Sequence, residues 1–470
     1  MTNTHRNTAI ARAVAYLEEG GFAADLARRV ALRTESDTGA PGPALDAYLV
    51  DEMTPWLGTL GFDCGIHPNP DPRGGPFLIA RRVEDPALPT VLTYAHGDVV
   101  NGMAAHWKDG RTPWDLHADG ERWYGRGTAD NKGQHTVNLG ALAQVIAARG
   151  GRLGYNVTLL MEMGEEAGSP GLAAFCEAQR AALRADLLVA CDGPRMRAEA
   201  PTLFLGSRGA ANFTLRLRSR DKPYHSGNWG GVLTNPAVVL AHAVASMVDR
   251  HGRIQVEGLR PAPLDARLRS VLQGLHMGGG PDDPVMDPAW GEPGLGPAEQ
   301  LVGWNTLEVL AWGAGSAERP VNAIPPAAVV HCQLRFVVGT PADAIEQRLR
   351  AHLDAHGFAE VTLEMGMLCA ATRLPLDNPW VDWTLNSMAQ SCGRPATLMP
   401  NLAGSLPNDV FADLLGLPTL WIPHSYPACA QHAPDEHLLV PVVREGLALM
   451  AGLYWDLGEP HAPWHRAAAV

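Results

Sequence analysis

The chain is predicted to be α/β, with a mostly parallel sheet domain into which a smaller α+β domain is inserted. Three observations carry this. Short apolar runs alternate with amphipathic stretches early in the chain, the texture changes after Pro201 to alternating strands with interspersed helices, and apolar runs near the C-terminus return to the first pattern. Strands separated by helices need crossover connections, which makes a sheet parallel and covers both its faces.

In order, residues 90–95 (TVLTYA) predict a buried strand and 136–149 a helix with an Ala/Leu/Val/Ile face. Residues 156–161 (NVTLLM) predict a second strand, 171–184 a helix, and 186–191 (DLLVAC) a third strand. Residues 202–217 alternate and 236–251 are helical; the Gly/Pro-rich 278–297 predicts a surface loop. Strands at 307–311 and 329–338, a helix at 341–356 and a strand at 361–365 come next. The apolar runs 411–415 and 419–422 would rejoin the main sheet. This places the first part of the main domain at 1–201, the insertion at 202–371 and the second part of the main domain at 372–470.

With 470 residues the chain is long enough for two or three domains, and 46% hydrophobic with 19% charged residues is a globular composition. Lys+Arg 37 against Asp+Glu 50 leaves a net charge of −13, which argues against a nucleic-acid or anionic-membrane binder, since both need a basic face. The seven cysteines are odd in number and scattered with no C-x-x-C, so neither a disulfide framework nor a thiolate zinc site is expected. No signal-type apolar stretch opens the chain, and no run approaches the roughly 18 apolar residues of a membrane span. A soluble, cytoplasmic protein is expected.

The chemistry lies where acidic and histidine residues fall relative to the strands. His96 and Asp98 come after the first strand, Glu165 and Glu166 after the second, and Asp192 after the third. Asp130 sits in the Gly-rich loop GRGTADNKG that opens a helix, and His432 lies in QHAPDEH after the run TLWIP. In parallel sheets ligands bind at the carboxyl ends of strands. Taken singly, each motif has a plain structural explanation: a turn histidine, a helix-start glutamate pair, an N-cap aspartate. Their coincidence at strand ends does not.

One histidine and one carboxylate per ion, with a carboxylate between them, is a ligand set for two borderline divalent cations. Two such ions roughly 3.5–4 Å apart can polarise a carbonyl and acidify a shared water. On this arithmetic His96 and Asp192 hold one ion, Glu166 and His432 the other, and Asp130 bridges them. Glu165 is then free to act as general base. Asp98 would accept the second N–H of the His96 imidazole and fix its tautomer.

These residues resemble metallopeptidase family 20, which includes glutamate carboxypeptidase, aminoacylase, succinyl-diaminopimelate desuccinylase and the cytosolic and carnosine dipeptidases. The matching stretches are HGDVV, WYGRGTADNKG, GEEAGS, CDGP, KPYHSGNWGG with Asn235–Pro236, VNAIPPAAVVHCQLRFV and HAPDEH, in family order over residues 90–437. The resemblance implies a zinc-peptidase-like catalytic domain with a lid or dimerisation insertion, and the same ligand and base roles. It implies two divalent ions per subunit, zinc first, with manganese or cobalt as alternatives. It implies a homodimer through the lid, in which His225 reaches the partner's active site and binds the substrate carbonyl as an oxyanion donor. Arg335 matches a lid arginine that binds a substrate carboxylate. Asn322 and Ser405 fall at substrate-binding positions, and the Asp130–Asn131 bond matches a cis peptide.

The segment KPYHSGNWGG looks nearest to the dipeptidase branch, but Asn401 stands where dipeptidases have an arginine and Ala403 where they have a glycine. The expected function is therefore hydrolysis of an amide bond (peptide, N-acyl or N-carbamoyl) in a small carboxylate-bearing substrate. One alternative is a non-catalytic metal-dependent binding protein on the same fold, against which the intact Glu165 argues. Another is a serine hydrolase built on Ser226 and His225, but these are sequence neighbours and no G-x-S-x-G elbow occurs.

Overall fold

Asn156–Glu162, Thr90–His96, Leu187–Ala190 and Thr419–Trp421 lie side by side as parallel strands. Every residue of Asn156–Glu162 and of Leu187–Ala190 is buried, as expected where both faces of a parallel sheet are covered. Phe77–Arg82 adds antiparallel to Asn156–Glu162, and Asp63–His67 pairs with it at the edge. On the other side Thr202–Phe204 runs antiparallel to Thr419–Trp421 and carries Thr397–Met399, completing an eight-stranded sheet. The computed structural model describes residues 2–37, 41–278 and 284–467. Of the expected 278–297 loop, residues 279–283 lie outside the described residues, and 284–296 form neither helix nor strand.

The helix expected from residue 136 begins four residues earlier, as Lys132–Ala148. Its first residues are polar, so apolar periodicity misses them, yet they are buried. Each has a partner: Lys132 Nζ donates to Leu32 O at 2.6 Å, Gln134 Nε2 to Ala129 O at 2.9 Å, and His135 Nε2 lies 2.8 Å from Tyr48 Oη. Helices Thr2–Glu18 and Val440–Leu457 pack against this one. They are joined by a buried pair, Arg6 Nε to Asp456 Oδ1 at 2.8 Å and Arg6 Nη2 to Asp456 Oδ2 at 3.0 Å, to which Ser387 Oγ adds a bond at 2.7 Å. Removing one charge of such a pair strands the other, so Asp456→Asn should lower stability by about 3–5 kcal/mol, read as a lower urea midpoint at unchanged slope.

Two boundaries differ from expectation. The alternating stretch 202–217 is two strands in different sheets, Thr202–Phe204 in the main one and Gly209–Arg218 in the insertion. Residues 411–415 do not form a strand: Val410–Leu414 is a single wide helical turn, and only Thr419–Trp421 rejoins the sheet. The chain divides into one unit of Met1–Gly206, Leu374–Met399 and Val410–Val470, and a second of Ser207–Arg373 with Pro400–Asp409. The second unit thus includes a short late segment that an undivided 372–470 would leave in the first.

The second unit is built on a four-stranded antiparallel sheet ordered Thr306–Gly313, Ala327–Phe336, Gly209–Arg218, Thr362–Cys369. Alternate residues of its central strands are buried beside residues of helices Pro236–Met247 and Ile345–Ala355, forming a core of their own. A small ribbon pairs Tyr224–His225 with Ala323–Ile324.

Candidate metal centre

Three of the four parallel strands deliver a site residue at or just past their carboxyl ends. His96 closes Thr90–His96, Glu165 and Glu166 sit in the turn after Asn156–Glu162, and Asp192 lies two residues past Leu187–Ala190. The fourth, Thr419–Trp421, leads into the loop that carries His432. Asp130 arrives on the loop before helix Lys132–Ala148, and its peptide bond to Asn131 is cis. Gly97, between His96 and Asp98, must be glycine: a Cβ there would stand 2.6 Å from the Tyr48 ring and 2.7 Å from Met163 Sδ.

These side chains converge. His96 Nε2 lies 3.0 Å from Asp130 Oδ1, 3.6 Å from Asp192 Oδ2 and 4.0 Å from Glu165 Oε2. His432 Nε2 lies 3.2 Å from Asp130 Oδ2 and 3.0 Å from Glu166 Oε2. Two donor groups result, His96–Asp130–Asp192 and Asp130–Glu166–His432, each with its ligand atoms within 4.8 Å of one another. Asp130 belongs to both and turns one oxygen to each.

Asp98 touches more than the His96 ring. His96 Nδ1 lies 3.1 Å from the Asp98 backbone oxygen and 3.4 Å from its carboxylate. That carboxylate also accepts the backbone N–H groups of Glu165 at 3.2 Å and Glu166 at 3.0 Å, and the Ser36 hydroxyl at 2.7 Å. It therefore ties the glutamate turn to the histidine strand. Sequence reading also missed Gln431, whose Nε2 donates to Asp130 Oδ2 at 3.2 Å, and Asn131, whose Nδ2 donates to Cys191 O at 2.8 Å. Asn131 stands within GRGTADNKG, beside the expected bridging ligand; Ser36, in the N-terminal stretch far from every motif, carried no signal.

The electrostatics arise from packing five carboxyl groups, those of Asp98, Asp130, Glu165, Glu166 and Asp192, close together around His96 and His432. Burial pushes Glu165 well above the ordinary carboxyl range; the His96 imidazole opposes this, while Asp192, Glu166 and Asp130 add to it. Glu166 is pushed up to about 7, by burial and then by the Asp130 charge. Asp192 rises to about 6 for the same two reasons. Burial alone would lower His96, but the carboxylates of Asp130, Asp98, Glu165 and Asp192 hold it well above its usual value. His432, bonded to Asp130 and Glu166, is held at about 11.

Such a cluster suits divalent cations. Imidazole nitrogen and carboxylate oxygen are the donors that borderline metals take, positive charge at this point would relieve the crowding of carboxylates, and Glu166 Oε1 is buried with no hydrogen-bond partner of its own.

The expected substrate residues lie in the second unit and form two pairs. His225 is exposed and its Nδ1 accepts from Gly227 N at 3.1 Å, while the neighbouring Ser226 N donates to the Asn322 carbonyl at 2.9 Å. Arg335 donates through Nη1 to Ser405 Oγ at 2.7 Å and through Nε to Gln333 Oε1 at 2.9 Å, and Ser405 donates to Arg208 O at 2.6 Å. Among the described residues no carboxylate comes within ion-pair distance of Arg335, which leaves part of its guanidinium uncommitted. Asn401 is buried and spends its amide on Val302 O at 3.0 Å.

An α/β domain with an inserted α+β unit, and two histidine–carboxylate clusters at the sheet's carboxyl edge, define the class: a metallohydrolase. The sequence profile of peptidase family M20/M25/M40 matches residues 92–456, and the chain belongs to that family. It is 31% identical over 329 residues to a cysteinylglycine-S-conjugate dipeptidase of Corynebacterium striatum, covering 66% of this chain and 68% of that one. It is 31% identical over 278 residues to the beta-Ala-His dipeptidase of Mus musculus, where the match spans 56% of this chain and only 55% of the relative. In fold it is similar to an M20 family metallo-carboxypeptidase of Sulfolobus solfataricus, with a TM-score of 0.79 and 22% identity over 92% of this chain and 98% of that one. Human carnosine dipeptidase 1 gives a TM-score of 0.75 and 20% identity over 96% and 98%. Among the described residues no helix is long and apolar enough to cross a membrane.

Proposed function

We propose that this protein is a dinuclear metal-dependent hydrolase that cleaves an amide bond of a small carboxylate-bearing substrate, with Glu165 as general base. The observation that carries the proposal is the Asp130 carboxylate, shared between two clusters of His, Asp and Glu donors. His96 and Asp192 would hold one cation and Glu166 and His432 the other, with Asp130, a member of both donor groups, available to each. When bound, the cation pair supplies Lewis acidity, polarising a carbonyl and lowering the pKa of a water. Glu165 is in neither donor cluster, so its carboxylate is free to take a proton from the attacking water and hand it to the leaving amine. Asp98 holds the Glu165–Glu166 turn and the His96 ring in register.

In the second unit, His225 would donate to the oxyanion, with Asn322 beside it. Arg335, oriented by Ser405, would take the substrate carboxylate with its uncommitted nitrogen. Dipeptides are the first substrate class to test, because the curated relatives are named for cysteinylglycine conjugates and beta-Ala-His. The chain is further proposed to act as a homodimer through the second unit, which exposes Val309, Leu310 and Trp312 on one strand. The odd number and scattered placement of the cysteines, with no C-x-x-C, support a cytoplasmic setting, which cell fractionation would check.

The test is to strip the protein with a chelator and return zinc, manganese or cobalt singly. Dipeptides, N-acyl and N-carbamoyl amino acids are then offered, with metal content and mass in solution recorded. About two ions per chain, activity only after metal return, and a dimeric mass are expected. Activity that survives metal removal would overturn the mechanism, and a monomeric mass the assembly.

A further inference from the structure

We infer that Glu436 is a positioning residue for the metal centre: its carboxylate fastens the loop carrying Asp130 to the loop carrying His432 and so sets their spacing. The inference rests on the dinuclear reading and adds to it a residue that touches neither cation nor substrate.

Glu436 is 1% exposed, and both its oxygens are committed. Oε1 accepts the backbone N–H groups of Ala129 at 2.9 Å and of Asp130 itself at 3.0 Å. Oε2 accepts Gly127 N at 3.0 Å and Arg126 Nη1 at 2.7 Å. The Glu436 main-chain oxygen takes Gly125 N at 3.0 Å. One residue thereby gathers the N–H groups of the loop along most of its length up to Asp130. A carboxylate with its lone pairs filled this way is not a ligand; it acts through the residues it holds.

Its other attachment is to His432, four positions earlier on the same loop. That loop passes through left-handed backbone at Ala430 (φ 58°), His432 (φ 58°) and Asp435 (φ 61°), none of them glycine. Such conformations persist where surrounding contacts over-determine them. Those contacts cluster at the Glu436 end. Asp435 accepts Lys108 N at 3.1 Å and Arg111 Nε at 3.3 Å, and His437 pairs with Tyr124 in a strand ladder. The Asp130 and His432 loops are far apart in sequence, yet the second cluster needs both. Gln431 joins them through the Asp130 side chain, and Glu436 joins them through the backbone that carries it.

The charge matters as well as the shape. Glutamine would turn an NH₂ group toward one of the two donor pairs, setting donor against donor. Aspartate keeps the charge but withdraws it by one methylene. The experiment compares wild-type full chain with E436Q and E436D, titrating zinc against a chelating dye and recording circular dichroism. Both variants are expected to bind zinc about 10–100-fold more weakly. Turnover should fall at limiting zinc and recover with excess, with KM unchanged. A merely structural residue would lower the thermal midpoint and leave the affinity of the folded fraction alone. Folded variants with wild-type zinc affinity would therefore overturn the inference.

Should neither variant fold, hydrogen exchange on the metal-loaded wild type decides. The amides of Gly127, Ala129 and Asp130 are expected among the slowest of the protein's loops, and fast exchange there would overturn the proposal. If the wild type itself bound no zinc, the dinuclear reading would fail; if it bound two ions and the variants bound them equally well, only Glu436 would lose its role.

Discussion

Glu165→Gln is expected to lower kcat by about 10²–10⁴-fold, the range for losing a positioned general base, while metal content and fold remain those of the wild type. The two glutamates are neighbours in sequence but differ in surroundings. Glu166 Oε2 meets His432 at 3.0 Å and completes a donor cluster, whereas Glu165 belongs to neither cluster and stands 4.0 Å from His96. Glutamine keeps the volume and removes the proton acceptor, so a selective loss of turnover isolates that one function. Metal analysis and a dipeptide assay on the same preparation decide it. A variant that keeps its rate would hand the base to another group, and one that loses metal would make Glu165 a ligand.

Asp130→Ala is expected to abolish measurable turnover, a loss of more than about 10³-fold, and to reduce bound metal from about two ions per chain to one or none. No other side chain among the described residues belongs to both donor groups. Loss of Asp192 or His432 removes a donor from one cluster, but loss of Asp130 removes one from each. The fold should survive, because Glu436 holds this loop through backbone N–H groups that alanine retains. Mass spectrometry of bound metal after gel filtration, with circular dichroism as the control, checks this. Retention of two ions at wild-type affinity would show that the clusters do not share a bridging carboxylate.

The strands were legible because a buried parallel strand must be apolar along its length, as TVLTYA, NVTLLM and DLLVAC are. His96, Glu166 and Asp192 were legible for a related reason, since polar residues directly after such runs stand at the sheet's carboxyl edge, while Asp130 and His432 were legible from the motifs GRGTADNKG and QHAPDEH. Reading failed where polar residues are buried with partners. The helix beginning at Lys132 was placed too late because Lys132, Gln134 and His135 do not look like a buried turn until Leu32, Ala129 and Tyr48 are brought to them. The run 411–415 is apolar, but apolarity alone does not separate a strand from a buried helical turn. Residues 202–217 read as one alternating stretch, though Thr202–Phe204 and Gly209–Arg218 join different sheets.

Order along the chain, together with residue type, was therefore enough to single out the residues of the two donor groups and to point to the family, because each depends on the residues just past a single strand or on a local motif. The spacing of the donors was not accessible that way. Asp98 bonding to Ser36 and to both glutamate N–H groups, Ser405 orienting Arg335, and Glu436 gathering the Asp130 loop all join residues distant in sequence. A hydrogen bond is satisfied by whichever partner the packed chain brings within reach, and only tertiary packing decides which partner that is.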